Sequence, residues 1–221
     1  MIRQLLFLLL LPLTLVGQEI SLLENLAKAE PGHYLVTEQN KTYTFLHISE
    51  NSNNRIVMEE VSIPGAKYPQ KSMMWRDWFE SGAPGYTSWI QSQINLTTGE
   101  CEEAYSIPHQ SWIDTTETSR FMATLLNLRF TETPSVRRRK VGPAPGYGKP
   151  DRRPLWHPRL IVDGEHHQNI PFQAWTARWP ADGSELSHKK VEIYLPDTTT
   201  QTYPTHFPYW LEVEGKLGRA K

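Results

Sequence analysis

Cysteine is almost missing from this chain: Cys101 is the only one in 221 residues. A lone thiol excludes an internal disulfide, so stability must come from a packed core. It also leaves a thiolate-built zinc site without its second cysteine. Cys101 itself is expected as a small residue at the start of a strand. Long apolar runs are lacking as well. The longest spans positions 5–16, 12 residues, against the roughly 20 needed to cross a bilayer as a helix. No charge of one sign dominates: 23 Lys and Arg stand against 24 Asp and Glu. The chain as a whole is therefore no binder of polyanions, and no nucleic-acid partner is expected. There is no Gly-x-Ser-x-Gly elbow, His-Glu-x-x-His helix or glycine-rich phosphate loop. No catalytic residue, metal ligand or cofactor is assigned on these grounds.

What is present begins with an export signal. Arg3 supplies a positive start, Leu5–Val16 the apolar stretch and Gly17 the small residue before a cut at Gln18. Leu15-Val16-Gly17 resembles the opening of a lipoprotein cleavage box, but Gln18 stands where that box needs cysteine. A periplasmic or secreted protein is expected. Removing 17 residues from 221 leaves a single β-rich domain of 204, residues 18–221, with 22 cations and 24 anions.

Element signals then follow in order. Ser21-Leu-Leu-Glu24 has capping-box spacing and opens a helix with Leu22, Leu23, Leu26 and Ala29 on one face. Pro31-Gly32 stops it. Three strands are predicted over His33–Thr37, Thr42–Ser49 and Arg55–Ile63, joined by Asn40-Lys41 and by the polar run 51–54. Lys71–Ser81 predicts a helix striped by Met74, Trp75, Trp78 and Phe79, ended by Gly82 and Pro84. Tyr86–Leu96 and Glu102–Ile107 read as a hairpin around 97–100. Asp114-Thr-Thr-Glu117 caps a third helix carrying Phe121, Met122, Leu125, Leu126 and Leu128. Later strands fall at Leu160–Val162, Phe172–Trp179, Val191–Leu195 and Tyr209–Val213, with Glu192 and Tyr194 facing outward. Leu217–Ala220 is too short to cover the last edge fully. The class is mainly β (α+β): a curved antiparallel sheet or unclosed β-barrel of about eight to ten strands with about three helices.

One stretch fits no period. Pro134–Arg159 holds eight cations, one anion, six prolines and three glycines. Adjacent cations repel and must be solvated or meet anions, and arginine forks suit phosphate and carboxylate. Arg137, Arg138, Arg139, Lys140, Lys149, Arg152 and Arg153 are the candidate contacts to an anion or lipid head group. So long a connection without secondary structure is unusual in a compact domain, and its prolines favour a semi-rigid flap. His157, His166 and His167 cluster near Asp163 and Glu165, but adjacent histidines on a strand face opposite ways, which weakens a metal site. Eight tryptophans suit a packed core. Trp156, Tyr203, Phe207, Tyr209 and Trp210 are the candidate rim of an apolar cavity mouth.

This order of elements, from signal and amphipathic helix through meander, mid-chain helix and long loop to a final strand near Phe207–Val213, resembles the periplasmic lipoprotein-carrier family. The resemblance implies an unclosed β-barrel with helices as a lid over an apolar cavity. It transfers no individual residue. The expectation is an exported, non-enzymatic binding protein holding an apolar or lipid-like ligand. Two rivals stand beside it: an interaction module docking on an anionic membrane or partner through the basic loop, and a hydrolase using His157 or His166.

Overall fold

The computed structural model describes residues 18–69, 73–162, 165–167, 170–199 and 203–215. The expected signal segment and the run Leu217–Ala220 lie outside these. Among the described residues two main antiparallel sheets form, neither closed into a barrel. The class is mainly β with three helices. The strands outnumber the eight to ten expected because several are only two or three residues long.

The first sheet is a six-stranded meander: β2 (Tyr34–Gln39), β3 (Thr42–Ser52), β4 (Arg55–Pro64), β5 (Ser88–Asn95), β6 (Cys101–Ser106) and β7 (Ser111–Trp112). Its first two hairpins turn where expected. Asn40 and Lys41 (φ 51° and 64°) and Asn53 and Asn54 (φ 53° and 62°) are left-handed pairs, the backbone that matches strand twist in a tight hairpin. The second sheet has the order β1 (Glu19–Ile20), β8 (Phe130–Glu132), β11 (Phe172–Arg178), β12 (Lys190–Pro196), β13 (Trp210–Val213). A separate ribbon pairs β9 (Leu160–Val162) with β10 (Glu165–His167).

Three helices join these. In α1 (Leu22–Leu26) the Ser21 hydroxyl accepts from the Glu24 amide at 3.4 Å. The Glu24 carboxylate does not reach back as a capping box would. It accepts instead from Arg129 at 2.6 Å, tying the helix to the start of the second sheet. The short α2 (Trp75–Glu80) begins later than Lys71, part of whose predicted run lies outside the described residues. In α3 (Thr116–Asn127) Asp114 accepts from the Thr116 amide at 3.0 Å. Gly99, at φ 77°, lets the β5–β6 turn meet this helix: a Cβ there would lie 2.9 Å from the Asn127 side-chain nitrogen.

One core is shared by both sheets. Ile48, Ile56 and Ile94 from the first meet Phe130, Trp175, Ala177, Val191, Ile193 and Leu195 from the second, with leucines of α1 and α3 between. A second cluster lies on the other face of the five-stranded sheet: Leu160, Ile170, Phe172, Ala174, Tyr194 and Trp210. The third lies on the outer face of the meander, where α2 sets Trp78 against Phe45, Val61 and Ile63. Tyr194 and Glu192, expected to face solvent, are both buried. Alternation places them correctly on the outer face, but that face is covered.

The His206 ring lies parallel to His33 at 4.9 Å and meets Phe207 edge-on at 5.2 Å, joining the segment before β13 to the entry of β2. Burial, with His33 as a second cause, lowers its pKa from 6.5 to about 4. The unfolded chain takes up a proton near 6.5 that the folded state resists. Stability is therefore full above that value and is lost as pH falls from about 6.5 towards 4. His206→Asn should flatten this acid slope of the urea midpoint, and an unchanged slope would contradict the assignment.

Candidate functional site

The basic stretch is not an open loop. After a short 3₁₀ turn at Ser135–Arg137 the chain forms a two-legged strap. The Val141 amide donates to Pro154 O at 2.9 Å, the Trp156 amide donates to Arg139 O at 2.8 Å, and Lys140 pairs with Leu155 as an antiparallel bridge. Six prolines and no side-chain period hide this pairing from a sequence reading. Between the legs, residues 141–152 are all exposed.

Arg139 anchors the strap. Glu192 and Glu212 stand directly opposite each other on β12 and β13, a pairing of like charges that destabilises a sheet unless neutralised. The Arg139 guanidinium does so, 3.6 Å from Glu192 and in contact with Glu212. It also lies over the rings of Trp156 and Trp210, 5.7 Å from each centroid, a cation–π arrangement. Lys190 adds a second cation 2.9 Å from Glu192. Arg138 donates to the Phe172 carbonyl on β11.

The neck of the strap has its own ion cluster. Asp151 meets Arg153 through two oxygens, each 3.0 Å away, and accepts from Lys140 at 2.9 Å. Arg153 and then Lys140 hold its carboxyl well below the ordinary carboxylate range. Arg153 also donates to Gly142 O at 2.8 Å, closing the neck.

The seven candidate head-group cations therefore do not act as one surface. Arg138, Arg139, Lys140 and Arg153 are engaged within the chain: Arg138 by the Phe172 carbonyl, Arg139 by Glu192 and Glu212, and Lys140 and Arg153 by Asp151. Arg137, Lys149 and Arg152 are exposed with no ion-pair partner among the described residues, and Arg159 joins them. The strap also carries exposed apolar side chains. Val136 is 79% exposed and Tyr147 fully so, with Val141 and, on β9, Ile161 beside them in sequence. Tyr147 sits in the run Pro143-Ala-Pro-Gly-Tyr-Gly-Lys-Pro150, whose one charge is Lys149.

Four of the five candidate mouth residues do converge. Trp210 is buried in the second cluster, with Trp156, Tyr203 and Tyr209 packed on it. Trp156 meets Tyr194 at 5.2 Å and Trp210 at 4.9 Å, both edge-on. Tyr209 meets Phe172 edge-on at 5.6 Å and Tyr203 meets His167, so among the described residues Trp156 is the one of the four that belongs to the strap. Phe207 packs instead against the core between the sheets.

The histidines do not converge. His157 lies against Phe172, and burial followed by the nearby Arg138 cation lowers its pKa. No carboxylate orients its ring among the described residues. His167 shares a 3.1 Å hydrogen bond with the Tyr203 hydroxyl, and the His166 side chain, with Asp163, lies outside the described residues. No group of metal-binding side chains forms among those described. Cys101 opens β6, is buried, and has its thiol pKa pushed up by burial, which disfavours a reactive thiolate.

Removing Arg139 leaves Glu192 buried beside a second carboxylate. Arg139→Leu should destabilise the fold by about 2 kcal/mol, below the range for an uncompensated buried charge because Lys190 stays 2.9 Å from Glu192 and the arginine is partly exposed. Adding Glu192→Gln should restore part of that loss in denaturant unfolding. An additive double variant would show that the pair is not coupled.

Comparison with known proteins places this architecture. No curated protein matches the chain. Among solved structures it is similar to the hypothetical protein CT021 from Chlamydia trachomatis, at 18% identity, with a TM-score of 0.61 over 91% of this chain and 89% of that one. That likeness shows the fold. The CT021 protein family matches residues 44–168, from β3 through the whole strap to β10. This is more than half of the chain, and the chain belongs to the CT021 family.

Proposed function

We propose that this protein is an exported interaction module that docks on an anionic lipid surface through its strap. One observation carries the reading. Arg137, Lys149, Arg152 and Arg159, all exposed, share residues 136–161 with the exposed apolar side chains Val136, Val141, Tyr147 and Ile161. Peripheral membrane binding uses this combination: apolar side chains enter the interface while cations meet anionic head groups. Tyrosine suits the boundary, having an apolar ring and a polar tip. The Asp151 clamp, the prolines and the turn closed by the Lys149 amide on Gly146 O restrict the tip, so less conformational entropy is lost on contact. Export, expected from residues 1–17, would bring the strap to a periplasmic or outer surface.

The lipid-carrier reading asks for a cavity where Trp156, Tyr203, Tyr209 and Trp210 sit. Trp156 and Trp210 pack on each other, and Tyr209 packs on Phe172, which favours docking over carriage. The hydrolase reading through His157 needs an acid beside that ring, and Arg138 is the charge found there, while the His166 side chain lies outside the described residues.

The test is co-sedimentation with phosphatidylglycerol-containing vesicles. Four cations at about 1 kcal/mol each correspond to about three decades of affinity. Replacing Arg137, Lys149, Arg152 and Arg159 together with glutamine should therefore abolish binding at ordinary protein concentrations. The wild-type binding should weaken steeply with salt. Tyr147→Ala should weaken binding at every salt concentration. Equal binding to purely zwitterionic vesicles, or retention by the quadruple variant, would overturn the reading.

A further inference from the structure

A second surface lies on the other sheet. The outer face of the meander is divided. The α2 cluster covers one end, where Trp89, Val61 and Phe45 stand in register. His47 and Glu59, 3.4 Å apart, mark the boundary. Beyond them the same face is open and holds a shallow groove of about 250 Å³, lined by Glu50, Arg55, Val57, Gln91, Gln93, Glu103, Tyr105 and Trp112. Register builds it in two rows. Glu50, Val57, Gln93 and Glu103 cross β3 to β6, and Gln91, Tyr105 and Trp112 cross β5 to β7.

The chemistry of this groove is specific. Trp112 is 68% exposed although it is the largest apolar side chain lining the groove. Tyr105 supports it edge-on at 5.1 Å, leaving the indole as a flat platform. The groove beside it holds planar hydrogen-bonding groups: the amides of Gln91 and Gln93, the carboxylates of Glu50 and Glu103, and the Arg55 guanidinium on its far side, with the Gln93 nitrogen donating to Glu102 at 3.2 Å and its carbonyl oxygen left as an acceptor. A flat apolar patch beside paired donors and acceptors complements a sugar ring, which has C–H groups on its faces and hydroxyls around its rim. The two carboxylates outweigh the one guanidinium, so a phosphate, sulfate or acidic sugar is disfavoured. The lining is too polar for a lipid tail.

We infer that this groove binds a neutral saccharide, the ring stacked on Trp112 and its hydroxyls bonded by Gln91, Gln93, Glu103 and Arg55. The site is independent of the strap. A carbohydrate on a cell-envelope surface would give an exported protein a second attachment point, on a different sheet from the first.

The experiment is titration of the intact protein with cellohexaose, chitohexaose and mannohexaose, with heparin as an anionic control, followed by tryptophan fluorescence and calorimetry. At least one neutral oligosaccharide should bind with a dissociation constant below about 1 mM, the weak end of specific recognition. Trp112→Ala should weaken that binding by about tenfold or more. Glu103→Gln serves as a second variant that keeps the platform and removes one acceptor, and it should also weaken binding. The strap quadruple variant should bind sugar like wild type. Binding of heparin alone, no binding of any neutral sugar, or full binding by a folded Trp112→Ala protein would each overturn the inference.

Discussion

The Arg139 guanidinium between Glu192, Glu212 and two indoles is the contact on which the outer half of this molecule depends. Without it two glutamates would face each other across β12 and β13, one of them buried. With it, the strap becomes a lid that covers Tyr194, Phe172 and Trp210 and turns the five-stranded sheet into a layer buried on both faces. The arginine has little freedom left for an external anion. The cations that remain available are those beyond its reach.

This arrangement divides one basic stretch into two kinds of charge. Arg138, Arg139, Lys140 and Arg153 are spent on folding the strap and fixing it to the sheet. Arg137, Lys149, Arg152 and Arg159 are left exposed near Val136, Val141, Tyr147 and Ile161. The ion pairs of Asp151 with Lys140 and Arg153 close the neck of the exposed run 141–152. The meander makes a similar division by other means. Its outer face is a buried aromatic cluster where α2 covers it, and where nothing does it is mostly polar around the exposed Trp112 and its neighbour Tyr105.

Much of the architecture was legible in the sequence because it obeys local rules. The Asn-rich hairpin turns, the Ser21 cap and the alternation of Val191, Ile193 and Leu195 all act within a few residues. The failures share a cause in long-range contact. Glu192 and Tyr194 read as solvent-facing because the segment that buries them lies some fifty residues earlier and has no periodicity of its own. The strap's pairing is carried by backbone groups among prolines, which leave no side-chain signature. Phe207 reads as one of a run of aromatics with Tyr203, Tyr209 and Trp210, but the structure sends it to the core between the sheets. The groove residues Gln91, Gln93 and Glu103 look like an ordinary wet face. Only the strand register, which sets Tyr105 and Trp112 beside them, distinguishes it.

The strap as a fixed, membrane-facing tip is the central claim, and the depth of its tip tests it most directly. Spin labels placed through Tyr147→Cys and, separately, Trp112→Cys, each in a Cys101→Ala background, report accessibility to oxygen and to a water-soluble relaxant. On phosphatidylglycerol-containing vesicles the label at 147 should move into the lipid interface while the label at 112 stays in water. A label at 147 that remains fully aqueous on vesicle-bound protein would contradict the account.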